Sequence, residues 1–89
     1  MKNCGKYKDR LNVIGKILRE KRLEQNLSFE KLSNKLLLLG INIPVTSLHR
    51  IENNQRTVRD YELCAFIVAL NIKSNEFLDP FIEILKNDT

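Results

Sequence analysis

The chain contains few of the residues on which metal, redox and nucleophilic sites depend. Its 89 residues include one histidine, two cysteines and three glycines. Cys4, His49 and Cys64 have no metal-ligand spacing, and the scattered glycines form no phosphate-cradling loop. The carboxylates stand singly among basic residues and form no recognisable pair. The sequence therefore predicts a protein that is not an enzyme and that needs no metal or cofactor.

Long apolar runs are also missing. The longest cover residues 36–39 and 64–70, well short of the roughly 18 residues needed to cross a bilayer. Basic residues near the N-terminus are not followed by an apolar block, so no secretory signal is predicted. We expect a soluble cytoplasmic protein without membrane contact, in which Cys64 is a buried free thiol.

What the sequence does contain is an uneven distribution of charge. Residues 1–59 carry 13 basic and 5 acidic side chains, a net charge of +8, whereas residues 60–89 carry 2 and 6, a net charge of −4. An apolar fraction of 43% is typical of one globular domain. The asymmetry indicates that the first half faces a polyanion.

Apolar residues recur at helical spacing along most of the chain, which predicts an all-α fold. The expected helices cover residues 11–25, 28–39, 44–53, 59–70 and 74–78, with a further segment that Pro80 opens. The second helix begins with Ser28 as its cap, and the third has Pro44 at its first position. Asn26 and Asn71 are expected to end the first and fourth helices. The fourth helix is expected to bury Leu63, Ile67 and Leu70.

Several segments, taken in order, resemble the phage repressor and Cro (XRE) family of helix-turn-helix DNA-binding domains. They are Ile14-Gly-Lys-Ile-Leu-Arg at the start of the first helix, Asn26-Leu-Ser, Leu32-Ser, Thr46-Ser-Leu-His-Arg-Ile-Glu-Asn, Arg59-Asp-Tyr-Glu-Leu and Ala69-Leu-Asn-Ile. The resemblance implies a five-helix repressor-like bundle with a helix-turn-helix at 11–78, a flexible basic arm at 1–10 and a short C-terminal helical extension at 79–89. It also implies a sequence-specific transcriptional regulator, a repressor, that binds double-stranded DNA. We expect it to act as a homodimer on a palindromic operator, because one recognition helix reads too few bases for tight, specific binding.

The third helix is the expected recognition element, because a major groove admits one α-helix whose side chains reach base edges. Four outward positions are expected to read bases: Val45, Thr46, His49 and Arg50. Flanking residues are expected to contact phosphates, the two asparagines through the backbone or the side chain: Ser28, Lys31, Asn53, Asn54, Arg56 and Arg59.

Two further sets of residues have structural interpretations. The resemblance implies that Arg22 and Glu52 pair and clamp the first helix to the recognition helix; the alternative is that Arg22 faces a phosphate. The stripe formed by Phe77, Phe81, Ile84 and Leu85 is a candidate dimer contact or packs on the first helix.

The chain departs from the family at three places. Phe29 stands where the family usually has glutamine, Asn54 replaces a glycine, and the connection at residues 37–41 is longer and rich in leucine. That insertion either fills the core or contacts a second subunit or another protein. Two other functions remain open: the antitoxin of a toxin–antitoxin pair, and a protein-interaction module that no longer binds DNA.

Overall fold

Five helices and no strands make up the part of the chain that the computed structural model describes, residues 10–87. The helices are α1 (Gly15–Glu24), α2 (Phe29–Leu38), α3 (Val45–Glu52), α4 (Asp60–Leu70) and α5 (Ser74–Asn87). The predicted all-α class is therefore confirmed. Apart from Arg10, the expected basic arm lies outside the described residues. None of the described helices is both long and apolar enough to cross a membrane.

The helix boundaries follow from local chemistry. The Ser28 hydroxyl accepts a hydrogen bond from the Lys31 backbone N–H at 3.1 Å and caps α2. Asn26 and Asn71 have φ values of 55° and 51°, the left-handed conformation that ends α1 and α4. Pro44 was expected at the first helical position, but its ψ of 160° is extended. Pro44 therefore precedes α3, which begins at Val45.

The first helix begins later than predicted, at Gly15. Leu11 is 55% exposed and lies in the preceding segment. The side chain of Asn12 explains the start, because its Oδ1 accepts the backbone N–H groups of Ile14 and Gly15 at 3.1 and 3.0 Å. These two groups would otherwise lack partners at the helix N-terminus.

The start of α1 lies directly against the end of α3. A Cβ atom on Gly15 would stand 2.7 Å from the carbonyl oxygens of both Ile51 and Glu52. Asn12 Nδ2 also donates to the Ile51 carbonyl at 3.0 Å and to the Arg56 carbonyl at 2.8 Å. A glycine at position 15 is thus required for the close approach that fixes α3 against α1.

The core lies where α1, α2 and α3 meet and continues onto α4 and α5. Its fully buried side chains are Leu18, Leu32, Leu36, Ile43, Leu48, Ile51, Phe66, Leu70 and Phe77. On α4 the buried face differs from the prediction: Leu63 and Ile67 are only partly buried, whereas Phe66 is buried. This rotation places Cys64 in solvent as a free thiol, so the predicted burial of Cys64 is wrong.

The last helix is one continuous element. The prediction of a short helix ending near residue 78 is wrong, because α5 runs through Pro80. Proline lacks the N–H that would complete one helical hydrogen bond. Apolar side chains on both sides of Pro80 explain why the helix continues: Phe77 is fully buried, and Phe81 and Ile84 line a groove together with Ile17 of α1 and Val13, which precedes α1.

The connection between α2 and α3 contains the leucine-rich insertion. Gly40 has a φ of 84°, a left-handed conformation that glycine adopts at little cost. The Ser33 hydroxyl donates to the Ile43 carbonyl at 2.7 Å and ties the connection back to α2. Three consecutive side chains, here called the leucine patch, are 58%, 88% and 45% exposed: Leu37, Leu38 and Leu39. Of residues 37–41, Leu37 and Leu38 form the end of α2, and Ile41 is partly buried against the core. The leucine patch itself does not fill the core.

Candidate functional site

The outward surface of α3 contains the four residues expected to read bases. Thr46, His49 and Arg50 are exposed and Val45 is partly buried. Leu48 and Ile51 of the same helix are fully buried. Residues three and four apart share a helix face, so the four side chains project from one side while the opposite side packs on the core.

Two of these side chains have neighbours. The imidazole of His49 stacks on the phenyl ring of Phe29, with ring centroids 3.9 Å apart and planes inclined by 32°. Arg50 Nη2 donates to the Gln55 carbonyl at 3.4 Å, a long and therefore weak hydrogen bond. His49 thus packs against α2, whereas Arg50 makes only a weak contact with the segment after α3.

Arg22 and Glu52 form an ion pair that joins α1 to α3. Arg22 Nε lies 2.7 Å from Glu52 Oε2, and Arg22 Nη2 lies 3.3 Å from Oε1. Arg22 Nη1 donates to the Leu27 carbonyl at 2.8 Å, and the residue is only 8% exposed. The structure therefore brings together the two residues of the expected clamp, and Arg22 does not face solvent as a phosphate contact would.

Arg56 was expected to contact phosphate, and the structure gives it another partner. Its Nη1 and Nη2 atoms each lie 3.0 Å from a carboxylate oxygen of Glu62, whose side chain is 4% exposed. Burial alone would raise the pKa of Glu62, but hydrogen bonds from Arg56 and from the Arg59 backbone N–H hold that pKa below its ordinary value. Arg56 is therefore a structural ion-pair partner, because moving it to a phosphate would leave a buried carboxylate unpaired.

Asn54 is a second predicted phosphate residue whose side chain is already engaged. Its φ is 61°, and its Nδ2 atom donates to the Asn12 carbonyl at 3.1 Å and to Asn12 Oδ1 at 3.0 Å. The asparagine therefore supplies the left-handed turn after α3 and a bridge to the start of α1. A side-chain contact from Asn54 to phosphate would break that bridge.

The other predicted phosphate residues are exposed: Ser28, Lys31, Asn53 and Arg59. The Ser28 hydroxyl accepts the capping hydrogen bond, which leaves its own proton available for donation. Arg59 Nη1 donates to the Tyr61 hydroxyl at 3.0 Å. Along the chain, these four residues lie at the start of α2, directly after α3 and directly before α4.

Sequence reasoning missed Arg19 and Asn12. Exposed Arg19 lines a cavity of about 220 Å³ together with Arg22, Phe29, His49, Glu52 and Asn53. Its spacing of three residues from Arg22, on one face of α1, is the signal that would have placed it beside α3. Asn12 was missed because the predicted first helix began before it, which hid its role as the residue that satisfies the start of α1.

The candidate dimer stripe on α5 is largely occupied within the chain. Phe77 belongs to the core and is fully buried, so its assignment to a dimer surface is wrong. Phe81 and Ile84 are partly buried beside α1, and Leu85 is 37% exposed. Lys21 of α1 adds an ion pair with Glu76 of α5, with Nζ and Oε1 2.8 Å apart. The structure thus favours the alternative interpretation, packing of α5 on α1.

Within residues 10–87, no cluster of three or more histidine, cysteine, aspartate or glutamate side chains could hold a metal ion. Comparison of the chain with protein-family models, with curated proteins and with solved structures found no match.

Proposed function

We propose that the protein is a sequence-specific DNA-binding transcriptional regulator, a repressor of the phage repressor and Cro (XRE) type, that inserts α3 into the major groove. The observation that carries the proposal is the exposed row Thr46, His49 and Arg50 on a helix whose inner face is fully buried. Such a helix presents its outward side chains to solvent, while packing of its inner face holds its backbone in place.

The three exposed side chains have the chemistry that base edges require. An arginine guanidinium donates two hydrogen bonds to the O6 and N7 atoms of guanine. A threonine contacts the methyl group of thymine and donates or accepts through its hydroxyl. An imidazole donates or accepts one hydrogen bond. We assign Thr46, His49 and Arg50 to base reading, with Val45 supplying apolar contact at the edge of the helix.

Phosphate contacts are assigned to exposed groups in the segments on either side of α3 in sequence and on neighbouring helices. Lys31 and Ser28 lie at the start of α2, Asn53 follows α3, and Arg59 precedes α4. We add Arg19, because it is exposed and lines the same cavity as His49 and Asn53. Arg56 and Asn54 are excluded, since both are bound within the protein. These contacts would set the register of the protein on the duplex without reading sequence.

The proposed regulator acts as a homodimer on two half-sites about one helical turn apart, because one recognition helix reads few base pairs. The exposed apolar surface that supports this assembly is the leucine patch. Leu38 is 88% exposed, against 39% for Ile82 and 37% for Leu85 on α5. We therefore assign the dimer contact to the leucine patch and not to α5.

The proposal is tested by selecting duplexes from a random DNA pool with the full chain and then measuring affinity against salt concentration. A regulator should enrich one motif with two related half-sites. Its affinity should fall steeply as salt rises, because each phosphate contact releases counterions. Enrichment of no motif, together with no salt-dependent binding to any duplex, would contradict the proposal.

The exposed leucine patch also supports a second candidate, a protein-interaction module that uses the same fold without DNA. Contiguous apolar patches are uncommon on the surface of monomeric proteins, so three consecutive exposed leucines point to a protein contact. The two candidates separate in the experiment above, because only the regulator selects a motif. An antitoxin would bind DNA in the same way and would differ by also binding a partner toxin.

A further inference from the structure

Phe29 links the ion pair in the interior to the exposed face of α3. Its ring centroid lies 3.9 Å from the guanidinium carbon of Arg22 and 3.9 Å from the imidazole centroid of His49. Arg22 in turn binds Glu52, which belongs to the same helix as His49. The contacts therefore form a closed ring through α3, α1 and α2: Glu52, Arg22, Phe29, His49.

The position of Phe29 differs from that of a core residue. Leu32 and Leu36 on the same helix are fully buried, whereas Phe29 is only partly buried and lines the cavity that also contains His49 and Asn53. Its ring thus lies at the edge of the core, where it contacts both the Arg22 guanidinium and the imidazole of the exposed residue His49. The Arg22 cation lies over the electron-rich face of the phenyl ring, and the His49 imidazole makes a tilted contact between two aromatic rings.

We propose that Phe29 is a specificity-determining positioning residue, which fixes the His49 imidazole in one orientation and thereby sets base preference at one position of the half-site. This inference rests on the proposed function. An exposed histidine without a neighbour exchanges among rotamers and loses that freedom on binding. Stacking on Phe29 removes the freedom during folding, so that the imidazole meets the base edge already oriented.

Positions 29 and 49 should therefore be coupled in their effect on base preference, which an ordinary packing residue at position 29 would not produce. Leucine at position 29 keeps apolar bulk but offers no ring for His49 or for the Arg22 cation. Tyrosine keeps the ring. Loss of the ring should therefore have the same effect on base preference as loss of the imidazole, and tyrosine should preserve the preference.

The test is a double-mutant cycle on the selected duplex and on duplexes with single base-pair changes. Phe29→Leu and His49→Ala should each reduce discrimination at the same base pair about tenfold, within the range for one base-pair contact. The double variant should lose no more than either single variant. Phe29→Tyr should retain wild-type discrimination, and Ile67→Val, at a partly buried position of α4, is the control for general loosening of the fold.

Thermal unfolding of each variant shows whether it is folded at the temperature of the binding assay. If Phe29→Leu unfolds, Phe29→Tyr and Phe29→Met provide the comparison of ring against aliphatic chain. Unchanged discrimination in the folded variant without a ring, or additive losses in the double variant, would overturn the role of Phe29. If the wild-type chain still selects a motif in that case, the proposed function is unaffected. Failure of the wild-type chain to select any motif would overturn both.

Discussion

Arg56 and Glu62 form a bidentate ion pair in which both nitrogen–oxygen distances are 3.0 Å. The pair connects the segment after α3 to the first turn of α4. Glu62 is buried, so Arg56 supplies the charge that compensates its carboxylate. A basic side chain that follows α3 closely in sequence thus has a structural role, although its sequence position suggests a phosphate contact.

Arg56→Ala should destabilise the fold, whereas Arg59→Ala should weaken DNA binding. Removing Arg56 leaves the buried Glu62 carboxylate without its charged partner, at a cost of about 1.5–3 kcal/mol. Arg59 is exposed, so its removal should leave the free energy of unfolding almost unchanged and lower affinity for all duplexes. Urea unfolding and duplex titration of the two variants provide the comparison. Equal stability of both variants would contradict the structural assignment of Arg56.

The same pair predicts a dependence of stability on pH. Because the folded protein holds the pKa of Glu62 below its ordinary value, the unfolded chain binds the proton more readily. The stabilisation is fully present above the unfolded pKa of about 4.3 and is lost as the pH falls through the lower folded pKa. Urea unfolding from about pH 7 down to pH 3 should therefore show a smaller acid-induced loss in Glu62→Gln than in wild type. Glu83→Gln, at an exposed position of α5, is the matched control, and identical curves for wild type and Glu62→Gln would refute the prediction.

Breaking the clamp between α1 and α3 should be among the most damaging single changes. Arg22→Met leaves Glu52 buried and unpaired, which should cost about 3–5 kcal/mol of unfolding free energy. Changing Arg22 to Met and Glu52 to Leu together removes both charges, so the double variant should be more stable than Arg22→Met alone. Chemical denaturation of wild type, Arg22→Met and the double variant measures their free energies of unfolding. A double variant no more stable than Arg22→Met would show that the ion pair is not the relevant interaction.

The leucine patch should determine assembly and not folding. Since Leu38 is 88% exposed, Leu38→Glu should leave thermal stability nearly unchanged. Sedimentation equilibrium should show a dimer for wild type, a monomer for Leu38→Glu and a dimer for the control Leu85→Glu on α5. A wild-type monomer at all concentrations, or a dimer lost only in Leu85→Glu, would contradict the assignment of the dimer contact.

Helical periodicity and capping residues were sufficient to predict the all-α class and most of the helix ends. Ser28 caps α2, and Asn26 and Asn71 end their helices, because these roles depend on local backbone chemistry. The end of α2 near residue 38 was likewise predictable from Gly40, which follows it.

Tertiary contacts decided what the sequence pattern could not. Pro80 is a local helix breaker, and only packing of α5 on α1 explains a helix that continues through it. Arg56 and an exposed phosphate-binding arginine look alike in sequence, since the difference is the carboxylate of Glu62 across the turn. The stack of His49 on Phe29 joins residues from two helices and has no local signal.

The central claim is that the outward side chains of α3 contact base edges, and the most direct measurement compares Thr46→Ala with Lys31→Ala on a selected and an unselected duplex. Both residues are exposed, so neither change should unfold the protein. Thr46→Ala should lower affinity for the selected duplex by about 1 kcal/mol, roughly fivefold, and leave the unselected duplex unaffected. Lys31→Ala should weaken binding to both duplexes and reduce the salt slope by about 1. If Thr46→Ala weakens binding to the two duplexes equally, or weakens binding to neither, α3 does not read DNA sequence.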